Sequence, residues 1–349
     1  MTTPPTDIAR RKADHIDIVL ARQVGFRTLT TGLEAVQFVH QALPELSLAE
    51  IDLSASLFGR SLKAPFLISS MTGGPRVAEA VNTHLSEAAE HLGIGLAIGS
   101  QRIALEEQGA EGLTRGLRDR AATVPLIGNI GAAQLLGKDG VDRARRAVEM
   151  IDADGLYVHL NPLQEAVQLG GDTDWRGVTA AIEALVAEGL PIAIKEVGFG
   201  LSADIVERMV AIGVDVIDIA GAGGTNWARV EGARGEAGKQ STIAEAFADW
   251  GIPTREAIIA ARGVAPQATI IASGGIGTGL DAAKALRLGA DLVGQAAGVL
   301  AAAIESTEAV IDHFETLIET LRITCFCTGS ESIAALKTAP LLDKSSTGA

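Results

Sequence analysis

The densest group of chemically active side chains lies between residues 159 and 165. This stretch reads His159-Leu-Asn-Pro-Leu-Gln-Glu165, and it combines an imidazole, two amides and one carboxylate. Such a group suits proton transfer and the binding of an anion or a metal ion. Glu165 and diphosphate oxygens can complete an octahedral Mg²⁺ shell, because this ion usually takes one or two protein carboxylates and keeps several waters. A solvated polar loop is the alternative interpretation.

Two glycine-rich turns predict a phosphate-binding site. They are Gly221-Ala-Gly-Gly-Thr225 and Ser273-Gly-Gly-Ile-Gly-Thr-Gly279. Glycine allows backbone N–H groups to approach a phosphate closely, and a helix beginning near Leu280 would add the positive end of its dipole. Either turn alone can be explained as a tight reversal of the chain, whereas the two together favour a bound phosphate.

Lys195 stands in the apolar run Ala-Ile-Lys-Glu-Val, which predicts that its ammonium group points into the protein interior. An isolated buried ammonium is costly or loses its charge, so an inward lysine needs a partner. The partner is either a carboxylate of the protein or a ligand. Beside a flavin ring, this charge would stabilise the anionic reduced form.

A basic segment, Arg10-Arg-Lys-Ala-Asp-His15, precedes all of these groups. On a helix, residues three and four positions apart are neighbours, so Arg11, Lys12 and His15 can share a face and converge on one anion. A solvated basic helix is the ordinary alternative.

The elements that must position these residues are repeated βα units. From Pro65 onward, short apolar runs alternate with alanine-rich helical patterns, which is typical of a parallel sheet. The predicted strands are residues 66–69, 94–98, 125–129, 155–160, 192–196, 214–219, 269–272 and 291–294. Eight such units predict an α/β protein with a TIM (β/α)8 barrel over residues 65–349 and an N-terminal extension over residues 1–64. A doubly wound sheet would show one dominant glycine-rich turn after its first strand, whereas here chemically active residues follow many strands.

The composition limits the partners of this chain. A formal net charge of −14 over 349 residues argues against nucleic-acid binding, which needs a basic face. The chain has no apolar run of signal-peptide or membrane-span length, and its two cysteines, Cys325 and Cys327, fit a reducing compartment. We therefore expect a cytoplasmic protein without a membrane partner.

Taken together, the motifs resemble the type 2 isopentenyl diphosphate isomerases from Arg11 to about Leu336. The resemblance rests on Arg11-Lys-x-x-His, Met71-Thr-Gly-Gly, Gly99-Ser-Gln-Arg, His159-Leu-Asn-x-x-Gln-Glu and Ala220-Gly-Ala-Gly-Gly-Thr. It implies an FMN-dependent, non-redox interconversion of isopentenyl and dimethylallyl diphosphates in isoprenoid biosynthesis. It also implies Mg²⁺ on the diphosphate, NADPH as the reductant of FMN, and a homo-oligomer, either a tetramer or an octamer.

The resemblance also implies roles for individual residues. The expected catalytic residues are Gln164, His159 and Lys195, and the expected Mg²⁺ ligand is Glu165. The expected substrate-binding residues are Arg11, Lys12, His15, Ser100, Arg102, His159, Asn161 and Gln164. The expected FMN-binding residues are Met71, Thr72, Gly73, Ser100, Asn129, Lys195, Thr225, Gly274, Gly275, Ala296 and Ala297. The chain departs from the family pattern at Gly277, where arginine is common, and at Gln295-Ala-Ala-Gly298, which replaces a run containing Ala-Arg-Pro.

Three alternative functions also use a barrel that binds a flavin or a phosphate. An FMN-dependent 2-hydroxy-acid oxidase-like oxidoreductase needs an imidazole base and an arginine after a late strand, but the turn of residues 220–225 contains no histidine. An inosine monophosphate dehydrogenase-like enzyme needs a cysteine nucleophile in a loop, whereas Cys325 and Cys327 follow all the predicted strands. A non-catalytic phosphate-binding barrel is the third possibility, and a yellow flavin spectrum would count against it.

Overall fold

The computed structural model describes residues 14–15, 17–21, 24–70, 77–106, 112–234 and 238–342. Eight parallel strands form a closed barrel, in which the last strand pairs with the first. The barrel strands are β3 (Phe66–Ile68), β4 (Gly95–Ala97), β5 (Leu126–Gly131), β6 (Gly155–Leu160), β7 (Ile192–Glu196), β8 (Val216–Asp218), β9 (Thr269–Ala272) and β10 (Leu292–Gln295). The predicted TIM barrel is therefore confirmed, and the ends of the predicted strands differ from the observed ends by at most two residues.

Helices surround the barrel and connect successive strands. They are α1 (Val77–Leu92), α2 (Arg102–Glu106), α3 (Gly116–Arg120), α4 (Gly140–Ile151), α5 (Pro162–Val167), α6 (Val178–Ala187), α7 (Ala203–Ala211), α8 (Trp227–Ala233), α9 (Lys239–Ala246), α10 (Thr254–Val264), α11 (Gly279–Leu288), α12 (Leu300–Glu305), α13 (Thr307–Cys327) and α14 (Ile333–Leu336). Short 3₁₀ turns occur at Leu33–Ala35, Leu48–Glu50, Ala132–Leu135 and Ala297–Val299. Alanines on the inner helix faces, such as Ala282 and Ala285 of α11, are fully buried and allow close packing on the strands. Within the described residues, no helix has both the length and the apolar composition of a membrane span.

The barrel interior changes from apolar to polar along the strands. An apolar layer contains one residue from each barrel strand: Leu67, Ala97, Ile127, Tyr157, Ala193, Val216, Ile271 and Leu292. Because side chains alternate along a strand, the residue two positions further on faces the interior again, nearer the carboxyl end. These residues, here called the polar layer, are Ser69, Gly99, Asn129, His159, Lys195, Asp218, Ser273 and Gly294. The charged and hydrogen-bonding groups of the polar layer therefore lie directly above the apolar layer.

An antiparallel hairpin closes the opposite, amino end of the barrel. It consists of β1 (Ala55–Leu57) and β2 (Arg60–Leu62), and its leucines pack against the apolar layer. The ring of Phe58 fills the space beside Gly155, where an added Cβ would lie only 2.5 Å from that ring. The hairpin belongs to the N-terminal extension and leaves the carboxyl end of the barrel as the accessible face.

A mostly buried carboxylate fixes this hairpin to the barrel. Asp154 accepts hydrogen bonds from Arg60 Nε and Arg118 Nη2, each at 2.6 Å. It also accepts the backbone N–H of Leu126 at 2.9 Å. The side chains of Asp154 and Arg118 are only 14% and 9% exposed, so their ion pair is shielded from solvent, whereas the Arg60 side chain is 33% exposed.

We predict that Asp154→Ala lowers the free energy of unfolding by about 3–5 kcal/mol, because it leaves the buried guanidinium group of Arg118 without a counter-charge. The measurement is chemical denaturation followed by circular dichroism. The control is Glu188→Ala, whose ion pair with Arg145 is about half exposed and should contribute less than about 1 kcal/mol. Equal losses in the two variants would contradict a structural role for the buried network.

Candidate active site

A cavity of about 610 Å³ opens at the carboxyl end of the barrel. Seven of the eight residues of the polar layer line it, and the remaining one, Asp218, lies fully buried. The predicted site residues that line the cavity are His15, Ser100, Arg102, Asn129, His159, Asn161, Gln164, Glu165, Lys195, Thr225, Gly274, Gly275, Ala296 and Ala297. The structure thus brings together every predicted site residue that it describes. The others, Arg11, Lys12, Met71, Thr72 and Gly73, lie outside the described residues.

Lys195 faces the cavity and also has a protein partner. Its Nζ lies 3.1 Å from Asp218 Oδ2 and 3.4 Å from Ser273 Oγ. The same nitrogen lies 5.8 Å from the centroid of the Tyr157 ring. The sequence left open whether a carboxylate or a ligand would partner Lys195, and the structure gives it the carboxylate while leaving the ammonium at the cavity wall.

A chain of hydrogen bonds orients His159. Its Nδ1 lies 2.7 Å from Asn129 Oδ1, and Asn129 Nδ2 donates to Ser70 Oγ at 2.7 Å. Because the Asn129 amide nitrogen is used in this way, its oxygen is the acceptor, and Nδ1 of His159 carries the proton. Gly131 leaves room for the imidazole, since an added Cβ would lie 3.1 Å from its Nε2.

Glu165 is held by neighbours in its own loop. Pro162 begins α5, a position that favours proline because the first N–H groups of a helix lack partners. Glu165 Oε1 accepts from Asn161 Nδ2 at 3.0 Å, and its Oε2 accepts the backbone N–H of Asp172 at 2.8 Å. Within the described residues, no group of three or more His, Cys, Asp or Glu side chains could hold a metal ion. Glu165 would therefore need oxygens of a substrate and of water to complete a Mg²⁺ shell.

Glu231 of α8 does not line the cavity but contacts two residues that do, and the sequence did not predict this position. Its Oε1 accepts from Gln164 Nε2 and pairs with His15 Nε2, both at 3.0 Å, while its Oε2 accepts from Arg234 Nη1 at 2.8 Å. Burial alone would raise the pKa of Glu231, but its hydrogen bonds and the charge of His15 lower that pKa to about 2. Glu231 is therefore a permanent negative charge at neutral pH. Two of its partners lie 67 and 216 positions away in the sequence, so no local pattern indicates the contact.

The described end of the N-terminal segment lies at the cavity mouth. His15, Val19 and Leu20 all line the cavity. The imidazole of His15 meets the indole of Trp227 edge to face, with ring centroids 5.2 Å apart. The segment that carries the predicted basic cluster therefore reaches the site through His15.

The two glycine-rich turns pack against each other as well as lining the cavity. Gly274 has φ of 99°, and an added Cβ there would lie 2.0 Å from Gly221 O. A Cβ on Gly224 would lie 2.5 Å from the backbone nitrogen of Gly275. These glycines are thus required by backbone packing, whatever they bind. At Gly277, by contrast, a Cβ would meet nothing within 4 Å, so this end of the cavity has open space.

The cavity walls fit a flat, polar cofactor such as a flavin. On one side, the polar layer contributes the small residues Ser69, Gly99 and Gly294, and on the other it contributes Asn129 and Lys195. The hydroxyl of Ser69 is buried without a hydrogen-bond partner in the described part of the chain. An unpaired buried hydroxyl is unfavourable, so a ligand group that bonds to Ser69 would be stabilised here. Between Gly274 and Ala301, none of the described residues that line the cavity carries a cationic side chain, so a phosphate at this end would depend on backbone N–H groups.

Comparison with known proteins identifies the family. The family model of FMN-dependent dehydrogenases matches residues 6–134 and 160–343. An isopentenyl-diphosphate delta-isomerase of Stutzerimonas stutzeri is 60% identical over 339 residues, which cover 97% of this chain and 98% of that protein. Two further proteins of the same name also match. The protein from Vibrio parahaemolyticus is 52% identical, and the match covers 93% of this chain and 96% of that protein. The protein from a Nostoc species is 46% identical, and the match covers 96% of this chain and 97% of that protein.

The chain belongs to the isopentenyl-diphosphate delta-isomerase family. The resemblance seen in the sequence motifs is thereby confirmed, and membership of an FMN-dependent family agrees with the residues that line the cavity. Two solved structures share the fold. Flavocytochrome b2 with pyruvate bound has a TM-score of 0.68 and 18% identity, and the match covers 95% of this chain and 82% of that chain. Mandelate oxidase has a TM-score of 0.64 and 18% identity, and the match covers 96% of this chain and 99% of that chain. At this identity, they bear on the fold alone. The roles of individual residues in this isomerase-family chain remain predictions.

We predict that Glu231→Gln destabilises the protein by about 1.5–3 kcal/mol at neutral pH, because it removes charge-assisted hydrogen bonds. The folded pKa of Glu231 is depressed from 4.5 to about 2, so its stabilisation is fully present above pH 4.5 and is lost as the pH falls towards 2. The difference in Tm between parent and variant should therefore shrink as the pH is lowered from about 6 to about 3. Amide exchange of residues 14–15 and 17–21 should also be faster in the variant. A constant Tm difference, or the same behaviour in the exposed control Glu207→Gln, would contradict this assignment.

Proposed function

We propose that this protein interconverts isopentenyl and dimethylallyl diphosphates with reduced FMN and Mg²⁺. The observation that carries the proposal is that one cavity is lined by the polar layer, by the amide of Asn161 and the carboxylate of Glu165, and by cationic side chains. The cationic side chains would bind a diphosphate, and the polar layer would bind a flavin. The amide and carboxylate groups would lie between these two ligands, where a proton must move.

The diphosphate would bind where Arg102 and His15 approach the cavity mouth. Arg102 Nη1 lies 3.0 Å from Asp172 and its Nε lies 3.2 Å from Glu106, so these carboxylates hold the guanidinium near the site. These ion pairs are partly exposed and therefore weak, and a dianionic ligand can compete with them. Arg11 and Lys12 would add charge, and Glu165 would share a Mg²⁺ ion with the diphosphate. Local cations are needed because the whole chain carries a net charge of −14.

Gln164 would lie at the reacting carbon atoms, with Glu231 behind it. Gln164 Oε1 accepts from Asn161 at 3.1 Å, and its Nε2 donates to Glu231, so the orientation of the amide is fixed. With a pKa of about 2, Glu231 is ionised at neutral pH and has no proton to donate. Its charge, behind Gln164, would instead stabilise a cationic transition state in the cavity. Reduced FMN, when bound, would supply the proton chemistry at its N5 position, which none of these side chains provides.

The remaining features belong to the same proposal. NADPH would reduce the flavin, the protein would act in the cytoplasm, and it would assemble as a homo-oligomer, either a tetramer or an octamer. Light scattering after size-exclusion chromatography measures the last of these, and a monomer at micromolar concentration would contradict it.

The proposal is tested by supplying purified protein with isopentenyl diphosphate, FMN, Mg²⁺ and NADPH, and by omitting each component in turn. Dimethylallyl diphosphate should form in the complete mixture, and omission of FMN or of the reductant under anaerobic conditions should abolish turnover. Absence of product in the complete mixture would overturn the proposal. Bleaching of the flavin by lactate or mandelate under anaerobic conditions would favour a hydroxy-acid oxidase instead.

We predict that Glu165→Gln raises the Mg²⁺ concentration needed for half-maximal activity by at least about tenfold, because it removes the charge of the proposed ligand and keeps its shape. The measurement is a metal titration of the initial rate. Glu183→Gln, an exposed change on α6, is the control and should leave the titration unaltered. A parental metal titration in Glu165→Gln would remove Glu165 from the metal site.

We predict that Arg11→Ala with Lys12→Ala lowers kcat/KM by at least about tenfold, which corresponds to about 1.4 kcal/mol of transition-state stabilisation. The reason is that charge-assisted contacts to the diphosphate hold a remote part of the substrate and orient its reacting end. The flavin spectrum and the Tm should stay near the parental values, and Arg10→Ala serves as the matched control. Parental kcat/KM in the double variant would place the diphosphate elsewhere.

A further inference from the structure

A buried cluster beneath the cavity is left unexplained by substrate or cofactor contacts. The position of Asp218 follows from the strand pairing, because Asp218 of β8 is paired in register with Lys195 of β7. Its side chain has no exposed surface and does not line the cavity. A carboxylate in this position cannot touch a ligand, so its effect must pass through another residue.

The carboxylate of Asp218 is surrounded by donors. Its Oδ2 lies 3.1 Å from Lys195 Nζ and accepts the hydroxyl of Tyr157 at 3.0 Å. Its Oδ1 accepts the hydroxyl of Ser273 at 2.5 Å and the backbone N–H of Ala220 at 3.3 Å. Burial, together with the charge of Asp218 and the hydrogen bond to it, raises the pKa of Tyr157 well above its ordinary value. Tyr157 is therefore a neutral donor, and the negative charge of the cluster resides on Asp218.

We propose that Asp218 is a positioning residue for the flavin site, because it keeps Lys195 charged and fixed against the cavity wall whether the bound flavin is oxidised or reduced. The inference rests on the proposed flavin site. A buried ammonium without a counter-ion tends to release its proton. With Asp218 present, Lys195 needs no charge on the flavin to remain an ammonium ion.

Other titratable groups near Lys195 are accounted for by the structure. His159 is its registered neighbour on β6 and is bonded to Asn129. Glu196 follows Lys195 on β7, and its carboxylate accepts three backbone N–H groups from residues 197–199. Burial raises the pKa of Glu196 to about 7, against the lowering effect of those hydrogen bonds and of Lys195. Glu196 does not line the cavity, so its proton is not expected to follow the charge of the flavin.

The proposal makes a prediction about proton uptake when the flavin is reduced. If Lys195 is always charged, two electrons and one proton convert oxidised FMN into its anionic reduced form. The midpoint potential then falls by about 30 mV per pH unit, since a tenfold change in an equilibrium constant is 29.6 mV for a two-electron couple. In Asp218→Asn, Lys195 would be neutral beside oxidised FMN and would take up a second proton on reduction. The slope should then double to about 59 mV per pH unit.

The experiment is a potentiometric dithionite titration of FMN-loaded protein between about pH 6.5 and pH 9. Tyr157→Phe is the matched control, because it removes a donor to Asp218 without removing charge, and it should keep the slope of about 30 mV. Adding Lys195→Arg to Asp218→Asn should restore that slope, since a guanidinium keeps its proton. A parental slope near 59 mV, or an unchanged slope in Asp218→Asn, would overturn the proposal.

The outcomes separate this inference from the proposed function. Protein that does not bind FMN would contradict the flavin site itself. Protein that binds FMN and isomerises the substrate, but shows either contradictory slope, would contradict only the role of Asp218. If Asp218→Asn does not fold, a parental slope near 59 mV per pH unit would still overturn the proposal.

Discussion

A lysine ammonium buried inside a closed barrel needs a counter-charge, and here the carboxylate of Asp218 lies 3.1 Å from it. Many features of the site follow from this ion pair. Tyr157 and Ser273 satisfy the remaining lone pairs of the carboxylate, so the pair adds no unpaired group to the interior. An ion pair with both members satisfied in this way avoids the penalty of an isolated buried charge. The ammonium group of Lys195 can therefore stay buried at the cavity wall and place its positive charge next to a ligand.

The geometry of the barrel explains where this charge lies. Each strand contributes one residue to the apolar layer and, two positions later, one residue to the polar layer. The layer contains glycine and serine on one side and amide, imidazole and charged groups on the other, so a flat ring can lie between them. The hairpin of β1 and β2 closes the other end, and chemistry is thereby confined to the carboxyl end of the strands, as is general for this fold.

The sequence predicted the barrel well because its strands are short apolar runs bounded by turn residues. It also predicted most of the cavity wall, since chemically active residues such as His159 and Lys195 stand at strand ends and such ends meet in a barrel. It did not predict Glu231 or Asp218 as site residues. Glu231 lies in the long connection after β8, and its contacts with His15 and Gln164 depend on tertiary packing. Nor did it predict the hairpin, because strands of only three residues, Ala55–Leu57 and Arg60–Leu62, are too short to show a clear alternation of apolar and polar residues.

In the proposed complex, a flavin ring would lie on the polar layer and the diphosphate would lie at the cavity mouth beside Arg102 and His15. A crystal structure of the protein with reduced FMN and isopentenyl diphosphate would test this claim most directly. We expect the ring between Ser69 and Asn129, with Lys195 Nζ within hydrogen-bond distance of it and Gln164 facing the isopentenyl carbons. A flavin bound outside the barrel mouth, or a ring with Lys195 turned away from it, would contradict the account.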